Sequence, residues 1–359
     1  MIPKLRLNSF RNFKAKLLEF PDGITVIIGP NASGKTNILE SLFLLSTGKS
    51  FRAHLEEEMV SHNSEIARVK GRVKSDGQIT DLETILTRGL IDIGKSAPER
   101  VARKKMFVNG VAKRLIDFAG NFKVALFGPW DLDLVTESPS LRRKFLDSVL
   151  SQVDREYRRV ALSYEKGLRQ RNRLLLRIRD EGLSRSQLLF WDKLLVKNGD
   201  YIASAREELI ASINFSFQFP GSFFQLAYDR SAISQARLEQ YAEEEVAAAT
   251  TLVGPHRDDF IFQIQNPKSK IQKERELARF GSRGEQRMSV LWLKLAELAF
   301  IELKTGERPT LLLDDIFSEL DHKHREIVIK AAQKQQTIIT TADPHFVEEL
   351  KDVDKIKLG

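Results

Sequence analysis

An α/β fold opened by a long helical insertion is what the sequence predicts, and three features predict it. Residues 23–28 form a β-branched run, Gly23-Ile24-Thr25-Val26-Ile27-Ile28, which passes through a glycine-containing loop into a helical pattern at residues 37–45. A second apolar run, Thr310-Leu311-Leu312-Leu313, comes late in the chain. Between them, Phe145, Val149, Val153, Tyr157, Val160, Tyr164 and Leu168 recur at steps of three and four, as on one face of a long helix. Strand, loop and helix at one end and a buried-type strand at the other imply a core built from both ends of the chain.

The elements follow in order. Residues 5–10 read as a strand, 23–28 as a second strand and 37–45 as a helix. From 65 to about 108 the pattern alternates, as in Ala67-Arg68-Val69-Lys70-Gly71-Arg72-Val73, and Asn109-Gly110 is a hairpin signal after Met106-Phe107-Val108. This region predicts an antiparallel sheet. The helix of residues 145–168 is followed by helical signals at 188–213, with a turn permitted around 180–186. The aromatic-rich stretch 214–228 suits extended chain, β-type patterns resume after Gly254, and a helix spans about 285–303. No internal repeat or low-complexity tail is present. The expected boundaries are 1–127 for the first part of the core, 128–249 for the helical region and 250–359 for the rest of the core.

The 359 residues suggest about two domains at ~150 residues each. A hydrophobic fraction of 42% is enough for a real core. With no cysteine, disulfides, thiolate catalysis and cysteine-held metals are excluded. No stretch approaches the ~18 apolar residues of a membrane span, and the N-terminus has no secretory pattern, so a cytoplasmic protein without a membrane partner is expected. Of the formal net charge of +8, residues 141–185 carry +7, from 13 Lys/Arg against 6 Asp/Glu. Charge so localised points to a polyanion-facing surface or to a solvated helix face.

Gly29-Pro30-Asn31-Ala32-Ser33-Gly34-Lys35-Thr36 has the spacing of a phosphate-binding loop. Glycines let backbone N–H groups converge on phosphate oxygens, and the following helix, through Asn37, adds its positive N-terminus. Lys35 supplies a full charge to the terminal phosphates, and Thr36 offers a hydroxyl to Mg²⁺. A nucleotide and Mg²⁺ are therefore expected, and the class resemblance given below implies that the nucleotide is ATP. The strand of residues 310–313 ends in Asp314-Asp315, at the carboxyl end where α/β sheets bind ligands. Asp314 is assigned to the metal and Asp315 to the attacking water, so Lys35 and Asp315 are the catalytic candidates.

About 30 residues upstream, Ser282-Arg283-Gly284-Glu285-Gln286-Arg287 opens a helix, a capped terminus able to hold an anion. This arrangement resembles ATPases of the ABC class: an α/β P-loop ATPase head of the ABC/SMC type, with an antiparallel β region and a mostly helical lid. The resemblance implies that Ser282, Arg283, Gly284 and Glu285 bind the γ-phosphate held by an opposite subunit, so that ATP joins two chains head to tail. It also implies that Ile316-Phe317-Ser318-Glu319-Leu320-Asp321 crosses the dimer interface, with Ser318 and Asp321 on it.

More specific segments resemble the RecF family. They are Leu7-Asn8-Ser9-Phe10-Arg11-Asn12-Phe13; Pro129-Trp130-Asp131-Leu132-Asp133-Leu134-Val135 with Ser138-Pro139-Ser140-Leu141-Arg142-Arg143-Lys144-Phe145-Leu146-Asp147; and Gly254-Pro255-His256-Arg257-Asp258-Asp259. The resemblance implies an ATP-dependent homodimer that binds double-stranded DNA and single-strand/double-strand junctions, works with RecR and RecO to load RecA, and hydrolyses ATP weakly, with DNA stimulation. Arg142, Arg143, Arg155, Arg158, Arg159, Arg169 and Arg173 are the candidates for phosphate contact. Asp315 stands where most of the ABC class has Glu, and no His occupies the switch position, where Thr340, Thr341 or Asp343 could serve. No hinge Gln is evident near residues 127–131. A transporter motor would need that Gln and an apolar coupling surface. An SMC-like tether would need heptad arms longer than this middle region allows.

Other groups read as structural. His322 and His324 lie two apart, on different helix faces, and His256 reads as a hydrogen-bonded residue. Glu56-Glu57-Glu58 and Glu243-Glu244-Glu245 read as solvated acidic faces, and Trp191 as core.

Overall fold

The computed structural model describes residues 1–75, 77–91, 99–216, 218–219, 223–265, 275–343, 345, 350 and 353–359. The chain packs as two units, one of Met1–Asp131 with Glu297–Gly359 and one of Leu132–Ala296. The core is thus assembled from both chain ends. Residues 250–296, placed with the core by the sequence boundary at 250, instead pack in the helical unit. The change of unit falls inside a continuous helix, where no turn or composition shift marks it.

In chain order the first unit opens with strands β1 (Lys4–Phe10), β2 (Phe13–Glu19) and β3 (Ile24–Ile28), then helix α1 (Lys35–Thr47). Strands β4 (Ile66–Ser75), β5 (Gln78–Thr87), β6 (Lys104–Val108), β7 (Val111–Lys113) and β8 (Val124–Phe127) follow. The helical unit holds α2 (Pro139–Val153), α3 (Arg155–Glu181), α4 (Leu189–Asn214), β9 (Phe223–Asp229), β10 (Asp259–Gln265) and β11 (Arg275–Glu276). Helix α5 (Arg283–Thr305) leads back to the first unit and to β12 (Thr310–Asp314), α6 (His322–Ala332), β13 (Thr337–Thr341) and β14 (Val353–Lys357).

Strands β2-β1-β4-β5-β6-β7 form the antiparallel sheet that the alternating pattern predicts. Leu5, Leu7, Val69, Val73, Leu82 and Leu86 turn to one face and pack with Leu42 and Leu45 of α1 in a single core cluster. The opposite face is polar, with Lys70 and Arg72 both paired to Asp81. The second sheet, β8-β12-β13-β3-β14, is wholly parallel. Strands β12 and β13 are buried at every position, which explains their continuous apolar runs. Its register sets Asp314 beside Thr340 and Thr341 beside Ile28, bringing three strand ends together.

In the helical unit, the one long helix expected at residues 145–168 is two. Asp154 adopts an extended conformation, φ −125° and ψ 110°, and its side chain accepts from the Glu156 N–H, capping α3. Periodicity continues across the break because both helices bury the same kind of face. Helices α3 and α4 are joined by residues 182–188, close to the expected turn. Their packing surrounds Arg171, which is 2% exposed and pairs with Asp192 at 2.7 Å and Glu245 at 2.7 Å. Glu245 is therefore buried, and the acidic run 243–245 is only partly a solvated face. Trp191 is half-buried against Phe190, whose ring meets it edge-on. Of the aromatic-rich stretch 214–228, residues 217 and 220–222 lie outside the described residues, and β9 forms its extended part. No helix among the described residues is long and apolar enough to cross a membrane.

Candidate nucleotide site

The loop between β3 and α1 carries the phosphate-binding geometry. Ala32 (φ 67°) and Gly34 (φ 102°) adopt positive φ, and the Ser33 N–H donates to the Pro30 carbonyl at 3.2 Å, curling the backbone into a nest. A Cβ at Gly29 would lie 2.6 Å from Ser33 Oγ and 2.9 Å from the Leu358 carbonyl oxygen, so the loop closes tightly against the chain that follows β14. Lys35 Nζ donates back to the Gly29 and Pro30 carbonyls at 2.7 and 2.9 Å. Its ammonium therefore lies across the cradle, where it can exchange two neutral carbonyls for anionic phosphate oxygens.

Thr36, in the first turn of α1, donates its hydroxyl to Asp314 Oδ2 at 2.8 Å, while the buried Thr340 donates to Asp314 Oδ1. Asp314 is 4% exposed. A hydroxyl and a carboxylate in contact beside a phosphate cradle form a hard oxygen donor set that fits Mg²⁺, a metal that usually keeps several waters and takes one or two protein ligands. Asp315 follows at φ 50°, with its N–H bonded to the Thr340 carbonyl at 3.0 Å. Burial, and then the neighbouring Asp314 carboxylate, push its pKa above the ordinary carboxylate range, as suits a group that takes a proton from water. Of the three switch-position candidates, Thr340 touches Asp314, whereas Thr341 Oγ1 donates to the Asp343 carbonyl at 2.9 Å. At the hinge position Asp131 accepts from the Gly128 N–H at 2.8 Å, and Trp130 stacks on Phe51 with centroids 4.8 Å apart.

Ser318 donates to the Asp315 carbonyl at 2.7 Å, and Asp321 caps α6 by accepting from the His324 N–H at 3.0 Å. His322 and His324 contact the acids Glu326 and Asp321 rather than each other. Ser282 and Glu285 form a reciprocal cap. The Ser282 N–H and hydroxyl donate to Glu285 Oε2 at 2.8 and 2.9 Å, and the Glu285 N–H donates to Ser282 Oγ at 3.2 Å. Ser282, Arg283 and Gly284 are exposed at the tip of α5, in the helical unit.

The seven arginine candidates separate. Arg142 is buried; it grips Asp259 at 2.6 and 2.9 Å and donates to the Leu134 and Glu137 carbonyls, so it is a structural residue turned away from solvent. Arg143 donates to the Asp258 carbonyl at 2.8 Å, and Arg158 to the Ser151 carbonyl at 2.6 Å; both are half-buried. Arg155, Arg159, Arg169 and Arg173 are exposed. Among them, Arg159 and Arg169 pair on their own helix with Glu156 and Glu165. Side-chain periodicity placed these residues on a helix but not on the face that meets β10.

The two more distinctive segments, 129–147 and 254–259, turn out to be bound to each other. Besides the Arg142–Asp259 and Arg143–Asp258 contacts, the buried Arg206 bridges Asp147 at 2.8 Å and Asp258 at 3.0 Å. Neither Arg206 nor Arg171 was singled out from sequence, although Arg171 falls on the stripe of Tyr164, Leu168 and Leu175, a position where an arginine signals a buried partner. His256 is part of this lock. Tyr164 Oη lies 2.9 Å from Nδ1, and Nε2 lies 3.0 Å from the Thr251 carbonyl, which only a protonated Nε2 can satisfy.

Parallel sheet, phosphate loop and paired acids together define an ATPase head of the ABC and SMC type. A family model described as the RecF/RecN/SMC N terminal domain matches residues 1–358. A DNA replication and repair protein RecF from Herpetosiphon aurantiacus is 36% identical over 381 residues, covering 97% of this chain and 96% of that one. Its counterpart from Thermomicrobium roseum is 35% identical, covering 97% and 95%. The structure of the recombination mediator protein RecF-ATP in the RecFOR pathway superposes with a TM-score of 0.85 at 31% identity, over 99% of this chain and 95% of that one. A Smc head domain from Pyrococcus furiosus shares the fold, with a TM-score of 0.53 at 16% identity over 100% and 94%. The chain belongs to the RecF family.

Burial pushes the His256 pKa down to about 4. Since an unfolded histidine titrates near pH 6.5, the buried neutral ring stabilises the fold fully above that pH, and the contribution, up to about 3 kcal/mol, disappears as pH falls toward 4. Histidine NMR titration should show His256 neutral down to about pH 4, and His256→Gln should flatten the pH dependence of stability over that window. An unshifted titration near 6.5 would contradict the buried geometry.

Proposed function

We propose that this chain is an ATP-switched, dimerising DNA-binding protein of recombinational repair. The observation that carries the reading is the contact of Thr36 with Asp314, which sets a hydroxyl, a carboxylate and the phosphate nest around one point. ATP fits there. Mg²⁺, held by Thr36 and Asp314, would neutralise the β- and γ-phosphate charge. Lys35 exchanges its loop carbonyls for the terminal phosphates, and Asp315 takes the proton of the attacking water. An aspartate reaches less far than the usual glutamate, which suits a slow switch rather than a fast motor.

Dimerisation follows from what one chain presents. The tip of α5 exposes Ser282, Arg283 and Gly284, and in the head-to-tail arrangement of this class it would meet the nucleotide of a second chain, with Ser318 and Asp321 at the junction. Exposed Arg155, Arg159, Arg169 and Arg173 offer charge to a duplex backbone without reading its sequence. The reading takes in duplex DNA and single-strand/double-strand junctions in the cytoplasm and cooperation with RecO and RecR in loading RecA; what supports it is the exposed arginine charge for DNA and, for the partners, the similarity to a RecF-ATP structure described in the RecFOR pathway. A transporter motor is disfavoured, because the hinge position is occupied by the local Gly128–Asp131 turn.

Two measurements test the reading. Asp315→Asn should bind ATP within about threefold of the wild type and hydrolyse it about 10²–10⁴-fold more slowly, as loss of a general base does; turnover at the wild-type rate would remove Asp315 from its role. Replacing Arg155 and Arg159 with Glu should weaken duplex binding and lower the slope of log affinity against log salt by about 1–2. Unchanged affinity and slope would move the DNA surface away from α3.

A further inference from the structure

A chain of side-chain hydrogen bonds runs from a buried carboxylate to the phosphate loop, and none of its links is explained by the roles given so far. Glu40, one turn beyond Thr36 on α1, is fully buried. It accepts from Arg11 Nε and Nη2 at 2.8 and 2.6 Å, from Ser50 Oγ at 2.6 Å and from Arg52 Nη2 at 2.8 Å. Arg52 Nη2 also donates to Asn37 Oδ1. Asn37 Nδ2 in turn donates to Asn12 Oδ1 at 2.7 Å, and Asn12 Nδ2 donates to the Ser33 carbonyl at 3.2 Å.

The direction of this chain is fixed by its ends. A guanidinium can only donate and a backbone carbonyl can only accept, so both asparagine amides have a single consistent orientation. Turning either one over would set two donors or two acceptors face to face. Glu40 holds Arg52 in place from the buried end, since its oxygens are shared among two guanidiniums and a hydroxyl.

At the other end lies the Ser33–Gly34 peptide, which is trans. The C=O and N–H of such a unit point in opposite directions. Holding the Ser33 carbonyl on Asn12 therefore keeps the Gly34 N–H turned away from Asn12, into the nest. Gly34 is needed twice over: its φ of 102° is left-handed, and a Cβ there would stand 2.7 Å from both amide atoms of Asn12 and from the Phe13 ring. The β1–β2 turn thus sits directly on the loop.

We propose that Asn12 is a positioning residue of the phosphate loop, aligned by Asn37, Arg52 and the buried Glu40, which holds the Ser33–Gly34 peptide in the orientation that binds a nucleoside polyphosphate. This rests on the reading of the loop as a nucleotide site. Asn37 then acts through Asn12 rather than on phosphate directly. Because the relay is largely exposed, it orders the loop without contributing much to the stability of the fold.

The test is binding of ATP and ADP to the full chain by calorimetry, with the melting temperature of the nucleotide-free protein measured alongside. Asn12→Ala should weaken both nucleotides about tenfold, the size of one lost hydrogen bond, and leave the melting temperature within about 2 °C. Asn37→Ala should weaken both by about fivefold, and the double variant should be no worse than Asn12→Ala, because the two residues act in series. Multiplying effects would give Asn37 its own phosphate contact and overturn the relay, as would wild-type affinity in Asn12→Ala or a loss matched by a lower melting temperature. A wild-type chain that binds neither nucleotide would overturn the nucleotide reading, and the proposal with it.

Discussion

The hydrogen bond between Thr36 and Asp314 joins positions 278 residues apart, and the rest of the site depends on it. Thr36 lies in the first turn of α1, directly after the phosphate loop, and Asp314 ends a strand that does not touch β3 directly. Strand β13 lies between, and its Thr340 occupies the second oxygen of Asp314. A carboxylate 4% exposed must have its oxygens satisfied, and two hydroxyls do so without neutralising it. The same strand end places Asp315 in a left-handed conformation and, through burial and the adjacent Asp314, raises its pKa from the ordinary carboxylate value.

Around this contact the phosphate loop is held from several sides. Backbone from the chain following β14 closes on Gly29, the β1–β2 turn rests on Gly34, and Lys35 bridges the loop's own carbonyls. Such over-determination is what a cradle of N–H groups needs, because those groups bind anions well only when they converge before the ligand arrives.

Much of this is legible in the amino-acid sequence. Glycine spacing, a β-branched run and an apolar strand ending in two acids each reflect a local backbone requirement, so residues 29–36 and 314–315 could be placed from the sequence. The antiparallel sheet was legible from its alternation for the same reason. Contacts set by which face meets which were not. Arg142 looked like one more basic residue in a +7 segment, yet it is consumed by Asp259, and Glu245 looked solvated but is buried on Arg171. The break at Asp154 was hidden because capped helices in succession can preserve a three-and-four pattern. The domain boundary was hidden because α5 passes from one unit to the other without interruption. Local +7 charge consequently overstates the exposed arginine surface, since buried ion pairs hold part of it inside.

In the proposed head-to-tail pair, each chain carries two unlike halves of a nucleotide site, and only a second chain completes either one. Mixing two inactive variants tests this directly. Lys35→Ala removes the cradle and leaves the Ser282 tip, whereas Ser282→Arg does the reverse, so one of the two shared sites in a mixed dimer is intact. ATPase measured on an equimolar mixture should rise well above the sum of the two variants assayed alone. A mixture that stays at that sum would show that the cradle and the serine tip do not act across a pair of chains.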